Sequence, residues 1–350
     1  MANDKNDSAT NATPSGGASE RPVIVGIGAS AGGVQALQTF FEATPIDTGA
    51  AFVVVVHLDP QSHSDLSSIL AARTCMPVVQ VEGTQELLAN HVYVIAPARR
   101  LHISDREISS EEFDEPRGQR APIDLFFRSL AGQHADGFAV ILTGAGSDGA
   151  IGVRAVKEAG GIILVQDPSE ADYPSMPRSA IETGIADFIL PVRELGTCLA
   201  ELLHKKDSIP GIDEHNFDED MVRRILAHVR VRTGHDFSKY KRSTILRRIA
   251  RRMQITKSDD VAAYYGFLRD NAEEAAALLG DLLISVTTFF RDNDAFDSLK
   301  ANVIPRLFEG KEPGEPVRVW VAGCATGEEA YSIGILLLEE AARKDIRPTL

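Results

Sequence analysis

Val23-Ile24-Val25-Gly26-Ile27-Gly28-Ala29-Ser30-Ala31-Gly32-Gly33 is an apolar, partly β-branched run that ends in small residues and passes directly into the helix-patterned Val34-Gln35-Ala36-Leu37-Gln38. A continuous run of this kind suits a strand covered on both faces. The abrupt change of pattern places Ser30 in a strand-to-helix turn at the carboxyl edge of a sheet. Small flanking residues let its hydroxyl stand clear there, and the free N–H groups of the opening helix can face a forming oxyanion. Ser30 is therefore a candidate nucleophile. The same glycines also read Gly26-x-Gly28-x-x-x-Gly32, a loose variant of the turn that holds a dinucleotide pyrophosphate. Hydrolase and nicotinamide-dependent oxidoreductase both follow from this stretch when it is taken by itself.

Outward from it, strand-like runs recur at Phe52–His57, Val92–Ile95, Ala139–Leu142, Ile162–Val165 and Phe188–Leu190, with helix-patterned segments such as Ile123–Ala131 and Ile151–Ala159 between them. Alternation of this kind predicts an α/β domain with a doubly wound, parallel-type sheet over residues 21–205. Residues 1–20 lack periodic apolar positions and read as a disordered tail. Residues 206–216 are polar, carry Pro210-Gly211 and read as a linker. From 217 to 310 the apolar spacing is helical and predicts a small all-α domain. A new strand, Val317–Val321, then opens into Gly323-Cys324-Ala325-Thr326-Gly327-Glu328 and a helix, the start of a Rossmann-like domain over 316–350. A nucleotide-binding sheet of that kind needs about 100 residues or more, so only its opening is expected in these 350.

Composition excludes several classes. The 44% hydrophobic and 25% charged residues are those of an ordinary globular protein. No apolar stretch approaches the roughly 20 residues that span a bilayer, and Met1–Asp7 has no signal-peptide core, so a cytoplasmic protein without membrane insertion is expected. Cys75, Cys198 and Cys324 form no metal-binding or redox motif and read as reduced structural residues; no metal is expected. A formal charge of −14 disfavours a nucleic-acid binder. Yet Met221–Arg252 holds eleven Lys or Arg against the single acid Asp236, a local basic surface that suggests an acidic partner.

Two further residues share the rim that carries Ser30. The run Phe52–Val56 ends in His57, and Phe138–Leu142 feeds Thr143-Gly144-Ala145-Gly146-Ser147-Asp148-Gly149 at the start of a helix. A serine, a histidine and an aspartate, each delivered at the end of a parallel strand, suit a nucleophile, a general base and an orienting carboxylate. Asp148 read as a helix cap, and Asp59 read as a ribose ligand, remain open on these patterns.

Five segments, taken together and in order, resemble the catalytic domain of the CheB-type chemotaxis-receptor methylesterases. They are Gly28–Gly33, His57–Pro60, Val94–Pro97, Leu142–Ala150 and Met176–Ala180. The resemblance covers about 180 residues. It implies a cofactor-free hydrolysis of glutamate γ-methyl esters, and deamidation of glutamines, by Ser30, His57 and Asp148, with oxyanion donors in the region of Ala31 and Ala145. Ala31 stands where that family often has threonine, and Ala145 where methionine is common. The family's receiver domain has no counterpart in residues 1–20, so activation by phosphorylation in cis is not expected.

The later segments resemble the CheR-type receptor methyltransferases at Arg232–Phe237, Tyr240-Lys241, Arg247–Met253, Ser285–Asp292 and Trp320–Ser332. That similarity implies an S-adenosylmethionine site drawing on Ser285, Thr287, Arg291, Gly323 and Glu328. It also implies a receptor-binding basic face at Lys241, Arg247, Arg248, Arg251 and Arg252 that meets the acidic helices of methyl-accepting receptors. Together the two resemblances imply a CheB/CheR hybrid in which the 350 residues hydrolyse esters but transfer no methyl groups. An NAD-dependent oxidoreductase and a non-catalytic receptor-binding scaffold are the competing readings.

Overall fold

A parallel sheet needs every strand paired and both faces covered, and the apolar runs in the first half of the chain meet both conditions. The structure, a computed structural model, describes residues 21–57, 65–113, 120–134, 136–208, 218–284, 289–291, 293–311, 314–324 and 327–344. The expected tail 1–20 and residues 209–216 of the expected linker lie outside them. In chain order the elements of the first half are β1 (Val23–Ala29), α1 (Gly33–Ala43), β2 (Ala50–Val56), α2 (Leu66–Ala71), β3 (Val78–Val81), β4 (Thr84–Glu86), β5 (His91–Ile95) and β6 (Arg99–Ser104). There follow β7 (Glu107–Glu112), α3 (Pro122–Gln133), β8 (Phe138–Ile141), α4 (Ala150–Ala159), β9 (Ile162–Gln166), α5 (Ser175–Glu182), β10 (Phe188–Leu190) and α6 (Val192–Ser208). Helix α6 thus continues into the first three residues of the expected linker.

Seven strands form one sheet in the order β10-β9-β8-β1-β2-β5-β3, every pair parallel. The expected doubly wound α/β architecture is present. Strand β2 shows why its run is unbroken: Phe52 and Val54 enter one core with α1 and α6, while Val53 and Val55 enter another with α3 and α4. Strand β1 is central, between β8 and β2, with Ala29 opposite Val56 and Gly28 opposite Ile141. That register delivers Ser30, His57 and the loop after β8 to neighbouring positions on one edge.

Helix α3 explains the first two glycines of the opening stretch. A Cβ at Gly28 would lie 2.5 Å from Ile123 Cγ2, and one at Gly26 would lie 2.8 Å from the rings of Phe126 and Phe127. Both glycines let α3 sit down on β1, so their spacing is a packing requirement and not a phosphate cradle. Around β5, with β4 before it and β6 and β7 after it, lies a feature the apolar runs did not announce, the antiparallel sheet β4-β7-β6. Only Leu101, Ile103 and Ile108 of its two longer strands are buried, and they face the core under α3. A half-covered antiparallel sheet needs just that sparse alternation.

The second half continues with α7 (Glu219–Thr233), α8 (Arg242–Ile255), α9 (Val261–Asp270), α10 (Ala272–Leu283), α11 (Asn293–Asn302), α12 (Ile304–Leu307) and α13 (Glu328–Arg343). The expected strand Val317–Val321 is absent: this segment finds no ladder partner among the described residues, and Trp320 is 91% exposed. A lone extended segment cannot satisfy its backbone groups as a strand does. The chain divides into two compact units, Met1–Ala227 with Phe237–Asn271, and His228–Asp236 with Ala272–Leu350. Helices α8 and α9 therefore group with the parallel sheet in the first unit. In the second unit, Ile304, Phe308, Val317, Leu336, Leu337 and Ala341 form a small core.

The reason lies in two arginines expected on a receptor-binding face. Arg248 donates to the carbonyls of Lys157 and Glu158 at 2.8 and 2.7 Å, capping the last turn of α4. Arg251 donates through Nε to the Gly161 carbonyl at 2.9 Å and pairs with Asp187, which also pairs with Lys157. Arg248 and Arg251 are each 3% exposed, so neither can meet a receptor. Lys241 is exposed, and Arg247 and Arg252 are half-buried. Burial pushes the Asp187 carboxyl up, but the charges of Arg251 and Lys157 outweigh it and hold the group below the usual range. Replacing Arg251 by alanine leaves a buried carboxylate short of a partner and is expected to lower unfolding stability by about 3–5 kcal/mol at pH 7. A group with a depressed folded pKa stabilises above its unfolded value and loses that effect as pH falls. The deficit of Arg251→Ala, read by denaturant unfolding, should therefore shrink on acidification below pH 4.

Candidate active site

Ser30 follows β1 and its N–H donates to the Thr143 carbonyl at 3.0 Å, tying the turn to the loop after β8. Gly32 then takes φ +73° at the start of α1, and the Gly33 N–H returns to the Ser30 carbonyl at 2.9 Å. The turn is tight enough that Gly144 has no room for a side chain: a Cβ there would lie 2.9 Å from Ser30 Cβ and 2.1 Å from Met176 Sδ.

His57 follows β2, and its Nδ1 lies 3.0 Å from Ser30 Oγ. Its Nε2 lies 2.8 Å from Asp148 Oδ2. A carboxylate only accepts, so Nε2 carries the proton toward Asp148, and Nδ1 presents its lone pair to the serine hydroxyl. Asp148 is nearly enclosed, at 9% side-chain exposure, while His57 is 34% exposed and reachable from solvent. The structure brings together the three residues singled out in the sequence.

The Asp148 carboxylate is held from behind as well. Its Oδ2 accepts the Ile123 N–H at 3.0 Å and its Oδ1 accepts the Asp124 N–H at 2.9 Å, both from the first turn of α3. The bland alternative, in which Asp148 caps its own helix, does not hold: the cap residue of α4 is Gly149, with no side-chain cap bond. Asp148 caps α3 instead.

Backbone N–H groups near the hydroxyl divide into used and unused. Those of Ser30 and Gly144 are spent on the carbonyls of Thr143 and Tyr173. Those of Ala31 and Ala145 donate to no protein group among the described residues. In the expected donor region around Ala145, the Gly144 N–H is thus already spent. Thr143, unnoticed in the sequence, joins the segments around them: its N–H donates to Gln166 Oε1 at 2.7 Å, and its hydroxyl accepts the Tyr173 N–H at 2.9 Å and reaches the Ala31 carbonyl at 3.2 Å. A threonine at a strand end carries no signal of such a role. Asp124 was also unnoticed, because an acid in a first helical turn is ordinary. Its Oδ1 accepts the Gly152 N–H at 2.6 Å, and burial, helped by the charge of Asp148 against the opposing N–H bonds, pushes it up to about 6.

The second unit carries what is described of the other expected site. Ser285 and Thr287 lie outside the described residues, as do Ala325 and Thr326. Gly323 and Gly327 both adopt left-handed conformations, φ +74° and +109°, and Glu328 opens α13 directly after them. The turn bearing Arg291 lies against that helix. There the Phe290 N–H donates to Ser332 Oγ at 3.0 Å, and the Phe289 ring stacks on Tyr331. A Cβ at Gly323 would meet nothing within 4 Å, so backbone there is open to a ligand and fits S-adenosylmethionine in that respect, whereas the space at Gly327 is taken by the Tyr331 ring, 2.9 Å from a Cβ. Among the described residues no cluster could hold a metal ion, and no helix is long and apolar enough to cross a membrane.

Comparison with known proteins agrees with this arrangement. Models of three families match in succession: CheB methylesterase over residues 25–199, the all-alpha domain of CheR methyltransferase over 220–283, and its SAM binding domain over 285–347. A protein of Rhodobacter capsulatus described as an uncharacterized 104.1 kDa protein is 37% identical over 309 residues, 81% of this chain and 32% of that protein. The chain thus spans about a third of that relative's length. A putative protein-glutamate methylesterase/protein-glutamine glutaminase of Leptospira interrogans is 34% identical over 178 residues, 50% of this chain and 92% of that protein. The crystal structure of the Thermotoga maritima CheB methylesterase catalytic domain superposes with a TM-score of 0.50 at 30% identity, over 52% of this chain and 98% of that one. With a matched half, a solved fold and a relative covered almost end to end, the chain belongs to the CheB methylesterase family and carries CheR methyltransferase segments in the same polypeptide.

Proposed function

We propose that this chain hydrolyses glutamate γ-methyl esters on chemotaxis-type receptors, and deamidates glutamines at the same site, with Ser30 as nucleophile, His57 as general base and Asp148 as the carboxylate that orients it. The observation that carries this is the continuous hydrogen-bond relay from Ser30 Oγ through His57 to Asp148. Ser30 Oγ attacks the ester carbonyl while its proton passes to His57 Nδ1, and Asp148 stabilises the imidazolium that forms. The carbonyl electron pair moves to oxygen, where the N–H groups of Ala31 and Ala145 receive it; donors of this kind each contribute about 3–4 kcal/mol. Collapse expels methanol with the proton from Nδ1 and leaves an acyl-serine. Water, deprotonated by His57, then attacks that ester and releases the glutamate carboxyl and the free serine. With glutamine the leaving group is ammonia.

Lys241, Arg247 and Arg252 are what the basic helix retains for acidic receptor segments, and a cytoplasmic enzyme is the setting this reading takes. In the second unit Arg291, Gly323 and Glu328, with Ser285 and Thr287, are the residues we assign to S-adenosylmethionine, whose methyl carbon a CheR-type site transfers to a carboxylate. Arginine and glutamate there would fix the ligand's carboxylate and its polar groups.

A helical peptide carrying one glutamate γ-methyl ester serves as the assay substrate, with methanol as readout. The intact chain is expected to release methanol, Ser30→Ala to lose at least about 10³-fold in kcat, and His57→Ala to fall comparably. A chain that releases none before mutation would be a scaffold, and one indifferent to Ser30→Ala would have a different nucleophile.

A further inference from the structure

Behind the relay two carboxylates are arranged reciprocally. Asp148 stands just before α4, yet its oxygens cap the first turn of α3. Asp124 stands in that first turn, yet its oxygen caps α4 through the Gly152 N–H, with Gly149 and Ile151 also contributing. Each side chain therefore secures the helix start next to the other, and a movement of one carboxylate displaces the other. A neutral side chain could cap α4 equally well. What a second carboxylate adds is charge, beside an aspartate that must support an imidazolium.

We propose that Asp124 is a positioning residue of the hydrolytic site, fixing the Asp148 carboxylate toward His57 and reinforcing its negative field; this rests on Ser30, His57 and Asp148 being the reacting relay. The surroundings leave that field little opposed. Arg128 and Arg154 are exposed, Arg100 pairs with Glu111, His102 meets Ser129 Oγ, and Arg120 lies over the Phe113 ring. Apolar residues of β1 and β2 fill the rest of the α3 contact. Asp124 ionises as pH rises through about 6, so the added charge is present at neutral pH and is lost in acid. A carboxyl raised in this way stabilises the fold below its unfolded value and loses that contribution as pH rises through 6. The arrangement therefore sacrifices stability where the enzyme works.

Asp124→Asn in the full chain tests this, since asparagine keeps the acceptor for Gly152 and removes the charge. With the γ-methyl ester peptide at pH 8, kcat should fall about tenfold with KM within about twofold. The acid limb of kcat/KM should move to lower pH, and the melting temperature should be equal or higher. A variant with wild-type kcat and an unmoved acid limb would make Asp124 only a cap, and a kcat loss matched by a fall in folded fraction would make it merely structural; either overturns the proposal. Should the variant fold poorly, the wild-type chain decides. Its labelling at Ser30 by a fluorophosphonate should fall between pH 7 and 5 more steeply than one proton allows, and a strictly one-proton limb overturns the proposal. Ser30→Ala in the same assays separates the two layers: turnover retained there defeats the relay itself, whereas its loss alongside an indifferent Asp124→Asn defeats only this inference.

Discussion

The hydrogen bonds to the Asp148 carboxylate are the constraint on which the arrangement depends. That one group receives His57 from β2 and two backbone N–H groups from α3, while its own chain position is set by β8 and α4. An acceptor with this many fixed donors has almost no freedom, and the imidazole oriented by it inherits that rigidity. The sheet supplies the rest through register. Because Ala29 lies opposite Val56, the residues that follow them are neighbours without any loop having to find its place. The relay is therefore a product of parallel pairing at the switch between strands that run outward on either side of β1.

Much of this was legible in the sequence, and for a physical reason. A strand buried on both faces is written as an uninterrupted apolar run, so β1, β2, β8 and β9 stand out, and the residues that end them can be named. Strands β6 and β7 were illegible because only Leu101, Ile103 and Ile108 face a core, and such alternation is lost among charged neighbours. The glycines were ambiguous for a different reason. Gly26 and Gly28 have the spacing of a phosphate turn, and only the position of α3 shows that Ile123, Phe126 and Phe127 occupy the space they leave. Asp124 was missed because its role depends on a partner 24 residues away in the chain.

The basic helix shows the same limit in the opposite sense. A run of cations reads as a solvated or partner-binding face, since a sequence cannot show an acid brought from elsewhere to meet it. Asp187 is that acid, just before β10, where it pairs with Arg251, and the carbonyls of Lys157 and Glu158 at the end of α4 accept from Arg248. Arginine suits the place because its planar fork serves several acceptors at once and remains charged when enclosed.

Those contacts have a bearing on how CheB and CheR segments come to share one polypeptide. Since α4 runs back against the strands, its last turn and the residues entering β9 lie at the sheet's amino edge, away from Ser30. Helix α8 thus holds the sheet at the edge opposite the relay. Recombination that brings in a different α8 should therefore preserve Asp187, Lys157, Arg248 and Arg251 as a single inherited block.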